Sequence, residues 1–239
     1  MKRLLLCVLL VGCSDDDSGG GGPVALDNFG MELATVSCRQ QFDCCTDAEI
    51  MDMYMGITYD GHAIMTEADC VGFANALLTG LGVAQWKESL AMGRIEYDSA
   101  AAGGCISALE GLTCDQYSSG NIDDLPSSCR PYLIPKVGDG GGCTQDYECT
   151  SKNCVGATHQ PNGPDTDGMC QPMPGAGEAC TDNCADGLYC GFDTTNGNEL
   201  CMPLKTDGAE CSLDRDCASE YCDDTSRKCA TEPPTCTGQ

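Results

Sequence analysis

Apolar residues recur every three or four positions along much of the first 135 residues, the spacing expected of helices with one buried face. The clearest predicted helix covers residues 66–81, with Thr66 as its N-cap and Gly82 as the residue that ends it. Its apolar face is formed by Cys70, Phe73, Ala74, Leu77, Leu78 and Leu81.

The same spacing predicts three further helices. One begins at Thr46, which forms a capping-box pattern with Glu49, and ends at Gly56. Another follows the cap candidate Asp27, and a fourth begins near Ser99. Their apolar residues are Ile50, Met51 and Tyr54, then Phe29, Leu33 and Val36, and finally Ala102, Cys105, Ile106 and Leu109.

Residues 27–135 are therefore expected to form a mainly α domain stapled by disulfides. Nine of the 13 aromatic residues lie there, so this part of the chain has enough large apolar side chains for a core. Its seven cysteines are expected to link helices to one another. They are Cys38, Cys44, Cys45, Cys70, Cys105, Cys114 and Cys129.

Beyond Lys136 the helical spacing gives way to a cysteine repeat in residues 137–236. Each of three copies opens with a glycine and holds four cysteines. The copies contain Cys143, Cys149, Cys154 and Cys170; Cys180, Cys184, Cys190 and Cys201; and Cys211, Cys217, Cys222 and Cys229. The first and third copies align without a gap, whereas the middle copy has only three residues between its first two cysteines.

Units of roughly 30 residues cannot assemble a hydrophobic core, so two disulfides per copy must stabilise small β-hairpin and loop modules. Three pairings within a copy remain open. Asn196-Gly197, between Phe192 and Leu200, predicts a type I′ hairpin in the middle copy. Cys236 is left over, and it either pairs with the odd cysteine of the helical domain or forms a free or intermolecular thiol.

The run Gly-x-x-Cys-x-x-Asp-x-acidic-Cys-x-Ser-x-x-Cys resembles the N-terminal cysteine-rich domain of the Dickkopf family. It is also similar to repeats of bacterial cysteine-rich lipoproteins that join a helical head to such modules. The resemblance covers residues 140–229. It implies a non-enzymatic extracellular module that contacts other proteins, while the fold alone does not specify a function.

The amino terminus predicts export and lipidation. Lys2 and Arg3 precede an apolar run, residues 4–11, that is too short to span a bilayer, so residues 1–12 are expected to be a signal peptide. The run ends in a pattern that resembles the lipobox of bacterial lipoproteins, with Cys13 as the lipidated residue. Residues 13–26 then form the lipidated cysteine and a flexible acidic and glycine-rich linker. The alternative is an ordinary secretory peptide with Cys13 in a disulfide.

The cysteine count indicates an oxidising compartment. Of the 22 cysteines, 20 remain once Cys7 leaves with the signal peptide and Cys13 takes the lipid, an even number that predicts a disulfide framework. A reduced zinc protein is the alternative, but the chain has no C-x-x-C pair and only two histidines, so no metal or other cofactor is expected.

Charge narrows the expected partners. After cleavage 10 basic side chains face 37 acidic ones, a net charge of −27, which repels phosphate backbones and anionic headgroups. No nucleic acid is therefore expected as a partner, and attachment to a membrane of the cell envelope is assigned to the lipid on Cys13.

No catalytic constellation stands out in the sequence. His62 lies in a predicted turn and His159 in a Pro- and Gly-rich loop, and no G-x-S-x-G elbow is present. The segment Asp165-Thr166-Asp167-Gly168 looks like a fragment of a calcium loop but lacks two essential ligands. The acidic pairs before the second cysteines, Asp146 with Glu148 and Asp214 with Asp216, are expected to cap turns.

These patterns favour a lipid-anchored, non-catalytic binding module of the cell envelope, in contact with other envelope or extracellular proteins. The alternatives are a structural or protective envelope component, and an extracytoplasmic enzyme within the helical domain. A deep polar pocket around His62, Trp86 or Arg94 would favour the enzyme.

Overall fold

The computed structural model describes residues 22–118, 132–158, 167–181, 183–193, 197–234 and 236. The predicted signal peptide, Cys13, the linker up to residue 21, Cys129 and His159 lie outside these residues. The described chain combines helices, small antiparallel sheets and many disulfides, so the expectation of a disulfide-rich fold with short β-hairpins is confirmed.

Six α-helices lie in residues 26–118. They are α1 (Leu26–Cys44), α2 (Asp47–Met53), α3 (Glu67–Leu77), α4 (Ala84–Ala91), α5 (Ser99–Glu110) and α6 (Cys114–Ser118). Short strands interrupt them, so this region is not purely helical. The strands are β1 (Thr58–Tyr59), β2 (His62–Ala63) and β3 (Ile95–Tyr97), of which β3 pairs antiparallel with β4 (Leu133–Pro135).

Helix starts follow the predicted caps where a side chain meets a free backbone N–H. The Thr46 hydroxyl accepts from the Glu49 N–H while the Glu49 carboxylate accepts from the Thr46 N–H, which completes the capping box. Thr66 caps α3 by accepting from the Asp69 N–H. Asp27 as a cap is wrong, because α1 begins at Leu26 after Ala25 and Asp27 lies in its first turn.

The predicted end at Gly82 is also wrong. The helix continues beyond α3 through a π-helical turn, Leu78–Val83, directly into α4. Gly82 stays within the helical path, and a Cβ atom at this position would make an ordinary contact of 3.5 Å with the Trp86 ring. This glycine therefore does not end the helix.

The apolar core of this region centres on Phe29, which is completely buried in α1. Its ring centroid lies 4.7 Å from that of Tyr132, 5.7 Å from that of Trp86 and 6.2 Å from that of Tyr97. Val24, Val36, Ala102 and Ile106 complete the buried cluster. Aromatic pairs at these distances stabilise a core beyond their buried area, and none of the buried members of this cluster is a cysteine.

Two disulfides fix the helices around α1. Cys38 of α1 is bonded to Cys70 of α3, and Cys44 at the end of α1 is bonded to Cys114 of α6. Cys105 of α5 is disulfide-bonded as well. The Cys38–Cys70 bridge lies beside buried Ile64 in a second small cluster.

The remaining strands belong to the cysteine-rich copies. The first copy has a three-stranded sheet in the order β5 (Gly142–Cys143), β7 (Gly168–Cys170), β6 (Cys154–Val155). The middle copy is a hairpin of β8 (Leu188–Asp193) and β9 (Asn198–Pro203), and the third pairs β10 (Cys222–Asp223) with β11 (Lys228–Cys229).

Candidate functional site in the cysteine-rich repeats

All three copies share one disulfide pattern, in which the first cysteine pairs with the third and the second pairs with the fourth. The bonds are Cys143–Cys154 and Cys149–Cys170, Cys180–Cys190 and Cys184–Cys201, and Cys211–Cys222 and Cys217–Cys229. The structure thus selects one of the three pairings that the spacing left open. The shorter gap of the middle copy does not change the pattern.

The glycine that opens each copy has a backbone role. Gly140, Gly177 and Gly208 have φ angles of 83°, 78° and 84°, which side chains disfavour. Each donates its N–H to the carbonyl of the last cysteine in its copy, at 2.8 Å. The repeated glycine is therefore required by the turn that brings the start of a copy onto its final strand.

The first acid of each acidic pair ties a turn to the third cysteine. Asp146 Oδ1 accepts from the Cys154 N–H at 2.6 Å, and Asp214 Oδ1 accepts from the Cys222 N–H at 2.8 Å. Both acids begin a short 3₁₀ turn before the second cysteine. The prediction that these residues cap turns is confirmed.

The second acid is buried and faces the residue after the first cysteine. Asp216 Oδ2 accepts from the Ser212 N–H at 2.9 Å and from the Lys205 ammonium at 3.2 Å. Burial alone would raise the pKa of Asp216, but these donors outweigh it and hold the pKa below its usual value. The carboxylate therefore stabilises the third copy in its ionised form.

Glu148, the matching residue of the first copy, joins that copy to the helical region. Its carboxylate is completely buried and accepts from the Thr144 N–H at 2.7 Å. It also accepts from the Ser89 hydroxyl of α4 at 2.5 Å, and Arg94 Nη1 lies 3.5 Å away. In the third copy, the donors to Asp216 all come from the repeat region. Glu148 differs, because two of its donors, Ser89 and Arg94, belong to the helical region.

Arg94 is held by this junction rather than facing a pocket. Its side chain is 16% exposed, and its second guanidinium nitrogen donates to Asp167 at 2.9 Å. Trp86 packs in the aromatic core, and His62 lies exposed on β2, in the hairpin whose turn residues are Asp60 and Gly61. The described residues do not bring His62, Trp86 and Arg94 together as one site.

The described residues of the calcium-like segment, Asp167 and Gly168, have structural roles. Asp165 and Thr166 lie outside the described residues, whereas Asp167 pairs with Arg94 and Gly168 begins β7. Triads of sulfur atoms, such as those of Cys143, Cys149 and Cys170, lie within 4.8 Å of one another. All these sulfurs are in disulfides and offer no thiolate in the oxidised protein.

Cys236 is bonded to Cys45 at the end of α1, across 191 residues of sequence. Of the alternatives that the cysteine count left open for Cys236, the structure shows a disulfide within the chain. Cys45, Ile50 and Cys236 form a buried cluster. The last part of the chain is therefore returned to the helical region beyond the third copy.

The hairpin of the middle copy differs from its prediction at the tip. Asp193 pairs with Asn198, so four residues connect the strands and the two-residue type I′ turn is wrong. Of these four, residues 194–196 lie outside the described chain, and Gly197 has a φ of 70° and donates its N–H to the Asp193 carbonyl at 2.8 Å. The pairing of Cys190 with Cys201 across the strands sets this register.

The exposure of Phe192 on this hairpin was not predicted from the sequence. Phe192 is 62% exposed and lies directly across the strands from Glu199. A depression of about 440 Å³ lies beside it, bounded by Ala179, Cys180 and Leu200. The alternation of side chains along β8 does not by itself distinguish an exposed ring from a buried one, so the sequence offered no signal for this exposure.

None of the helices in the described residues has the length and apolar character that crossing a bilayer requires. Comparisons of the chain with protein-family models, with curated proteins and with solved structures found no match.

Proposed function

We propose that this chain is a lipid-anchored protein of the cell envelope whose disulfide-braced repeats bind other proteins without catalysis. The proposal joins the lipobox-like pattern at Cys13 with the extracellular character of the repeat. It assigns the task of the molecule to contact surfaces rather than to a reaction.

The observation that carries the proposal is the way in which the repeats use their polar and reactive groups. Their cysteines are in disulfides, and the acids Asp146, Glu148, Asp214 and Asp216 accept hydrogen bonds from groups of the protein itself. A rigid frame of this kind supports exposed loops and side chains, and Phe192 is one of them. Rigid display favours recognition because little conformational entropy is lost on binding.

The anchor is tested by Cys13→Ala in the full chain expressed in a bacterium that lipidates exported proteins. We expect the variant to appear in the aqueous phase of a detergent partition, while the unchanged chain enters the detergent phase, since acyl chains supply the membrane affinity. Cys13→Ala protein that still enters the detergent phase completely would contradict the anchor. Mass spectrometry of the amino-terminal peptide checks for the acyl chains directly.

Binding is tested with the oxidised chain lacking residues 1–13, immobilised and exposed to envelope extract, with reduced and alkylated protein as the control. We expect a defined set of proteins to be retained by the oxidised form alone, because the recognition surface depends on the disulfide frame. Identical retention by both forms, or none by the oxidised form, would contradict an interaction function. The second result would favour a structural or protective component.

A further inference from the structure

We propose that the hairpin of the middle copy binds a basic segment of a partner protein, one that carries a leucine- or phenylalanine-sized side chain next to a lysine or arginine. The inference rests on the proposed interaction function and names the chemistry of its partner. We call this surface the hairpin face, and it consists of Phe192, Glu199, Leu200, Ala179 and Cys180.

The apolar part of the hairpin face consists of the exposed Phe192 ring and the depression that it borders. Phe192 exposes 62% of its surface, although a large aromatic side chain gains most from burial. The depression next to it has a volume of about 440 Å³, which accommodates a side chain of leucine or phenylalanine size. An apolar side chain placed there would cover the Phe192 ring and the neighbouring Leu200, which is half-buried.

The charged part is the exposed acid Glu199, since the first cation that follows it, Lys205, lies 5.1 Å from the Tyr189 ring centroid and pairs with Asp216. No lysine or arginine occurs between Lys152 and Lys205, while residues 177–203 contain five acidic residues. Glu199 is exposed and faces Phe192 across the strands, whereas the Glu178 carboxylate already accepts from the Gly175 N–H at 2.6 Å. Glu199 is thus placed to pair with a cation whose neighbouring side chain enters the depression, and the ring face of Phe192 attracts the same cation.

The charge also decides among classes of partner. The segment 177–203 contains five acids and no lysine or arginine, in a chain of net charge −25, and such a charge repels the phosphates of nucleic acids and anionic lipid headgroups. The backbone of Leu200 is already bridged to that of Ala179, which occupies this edge of β9. A partner strand is therefore not expected to add at this edge, and the segment is recognised there by its side chains.

The third copy offers a matched control within the same chain. Leu213 is 50% exposed there, and Glu210 is an exposed acid. Unlike the middle copy, the third copy contains Arg215, Arg227 and Lys228, and Arg227 Nη1 lies 3.8 Å from Asp224. Substitutions at Leu213 and Glu210 therefore remove an exposed apolar side chain and an exposed carboxylate, as substitutions at Phe192 and Glu199 do. In the third copy, however, the acids have basic neighbours.

The experiment measures the binding of a fluorescein-labelled peptide of alternating arginine and leucine to the oxidised chain by fluorescence anisotropy. Truncation of an aromatic anchor or reversal of a paired charge is expected to weaken binding about tenfold or more, so Phe192→Ser and Glu199→Lys should each have this effect. Leu213→Ser and Glu210→Lys should change the affinity less than about twofold. Intact mass and circular dichroism verify that every variant keeps its disulfides and secondary structure.

Two further peptides separate the contributions of charge and apolar contact. A peptide of alternating arginine and serine, and one of alternating glutamate and leucine, should each bind about tenfold more weakly than the arginine–leucine peptide. Equal binding of the arginine–serine peptide, or equal losses in the Glu199→Lys and Glu210→Lys variants, would show general attraction to an acidic protein and overturn the proposal.

Retention from envelope extract distinguishes this proposal from the function on which it rests. If Phe192→Ser protein retains the same proteins as the unchanged chain, the hairpin face is wrong while the interaction function stands. If the unchanged chain retains none, the interaction function fails irrespective of the peptide results. Loss of retained proteins on Phe192→Ser, but not on Leu213→Ser, supports both.

Discussion

Reduction of the native protein is expected to unfold the three cysteine-rich copies and to leave the region around Phe29 protected from proteolysis. The buried cluster of the third copy consists only of Cys211, Cys217, Cys222 and Cys229, so its interior is lost when the sulfurs separate. Each disulfide contributes about 2–4 kcal/mol to stability, which exceeds what so small a unit gains from apolar burial. The core around Phe29, Val36 and Ile106 contains no buried cysteine.

The measurement is limited proteolysis before and after reduction and alkylation, with the fragments assigned by mass spectrometry. Cleavage should accelerate strongly within residues 137–230 and much less within α1 and α5. The unreduced, alkylated protein is the control, and it also reports any thiol that is free in the native state. Equal protease resistance of the repeats before and after reduction would contradict the prediction, as would native protein whose cysteines mostly react with the alkylating reagent.

Glu148→Ala is expected to lower the free energy of unfolding by about 3 kcal/mol, because removal of one partner leaves a largely buried Arg94 without its buried counterion. The substitution also deprives the Thr144 N–H and the Ser89 hydroxyl of their acceptor. Both sides of the junction between α4 and the first copy lose contacts. The effect should therefore be larger than that of most single substitutions in the repeats.

Denaturation by guanidinium with the disulfides intact measures this effect. Trp86, the single tryptophan, lies in α4 one turn from Ser89 and reports unfolding at the junction by fluorescence. Asp167→Ala is the matched control, since it removes the exposed partner of the same arginine and should cost less than about 1 kcal/mol. Equal effects of the two substitutions would mean that the buried carboxylate does not hold the junction.

Local signals along the sequence predicted the features that depend on near neighbours. Thr46 and Thr66 cap their helices because the donors they satisfy lie only three residues ahead. Asp146 and Asp214 were recognised as turn residues for a similar reason, although their acceptor role reaches to the third cysteine, eight residues ahead. The continuation of the helix past Gly82 was not predictable from near neighbours, since the π-helical turn that leads into α4 packs against α1, which is distant in sequence.

The hairpin face was harder to predict from the sequence than the disulfide-bonded repeats that support it. A phenylalanine in a predicted strand reads as a core residue, whereas in the structure Phe192, two residues beyond the disulfide-bonded Cys190, is 62% exposed. The lack of cations between Lys152 and Lys205 is a sequence property, but its meaning depends on which acids already bond within the fold. Glu178 and Glu199 cannot be told apart until their contacts are known.

The three copies with their opening glycines, the capping threonines and a strongly acidic chain rich in disulfides were all predictable from residue type and short spacing. The pairing of the cysteines, the bond from Cys236 to Cys45 and the junction of Glu148 with Ser89 and Arg94 became known only from the folded chain. These contacts join residues that are distant along the chain. Their partners are selected by three-dimensional packing, which leaves no periodic signal in the sequence.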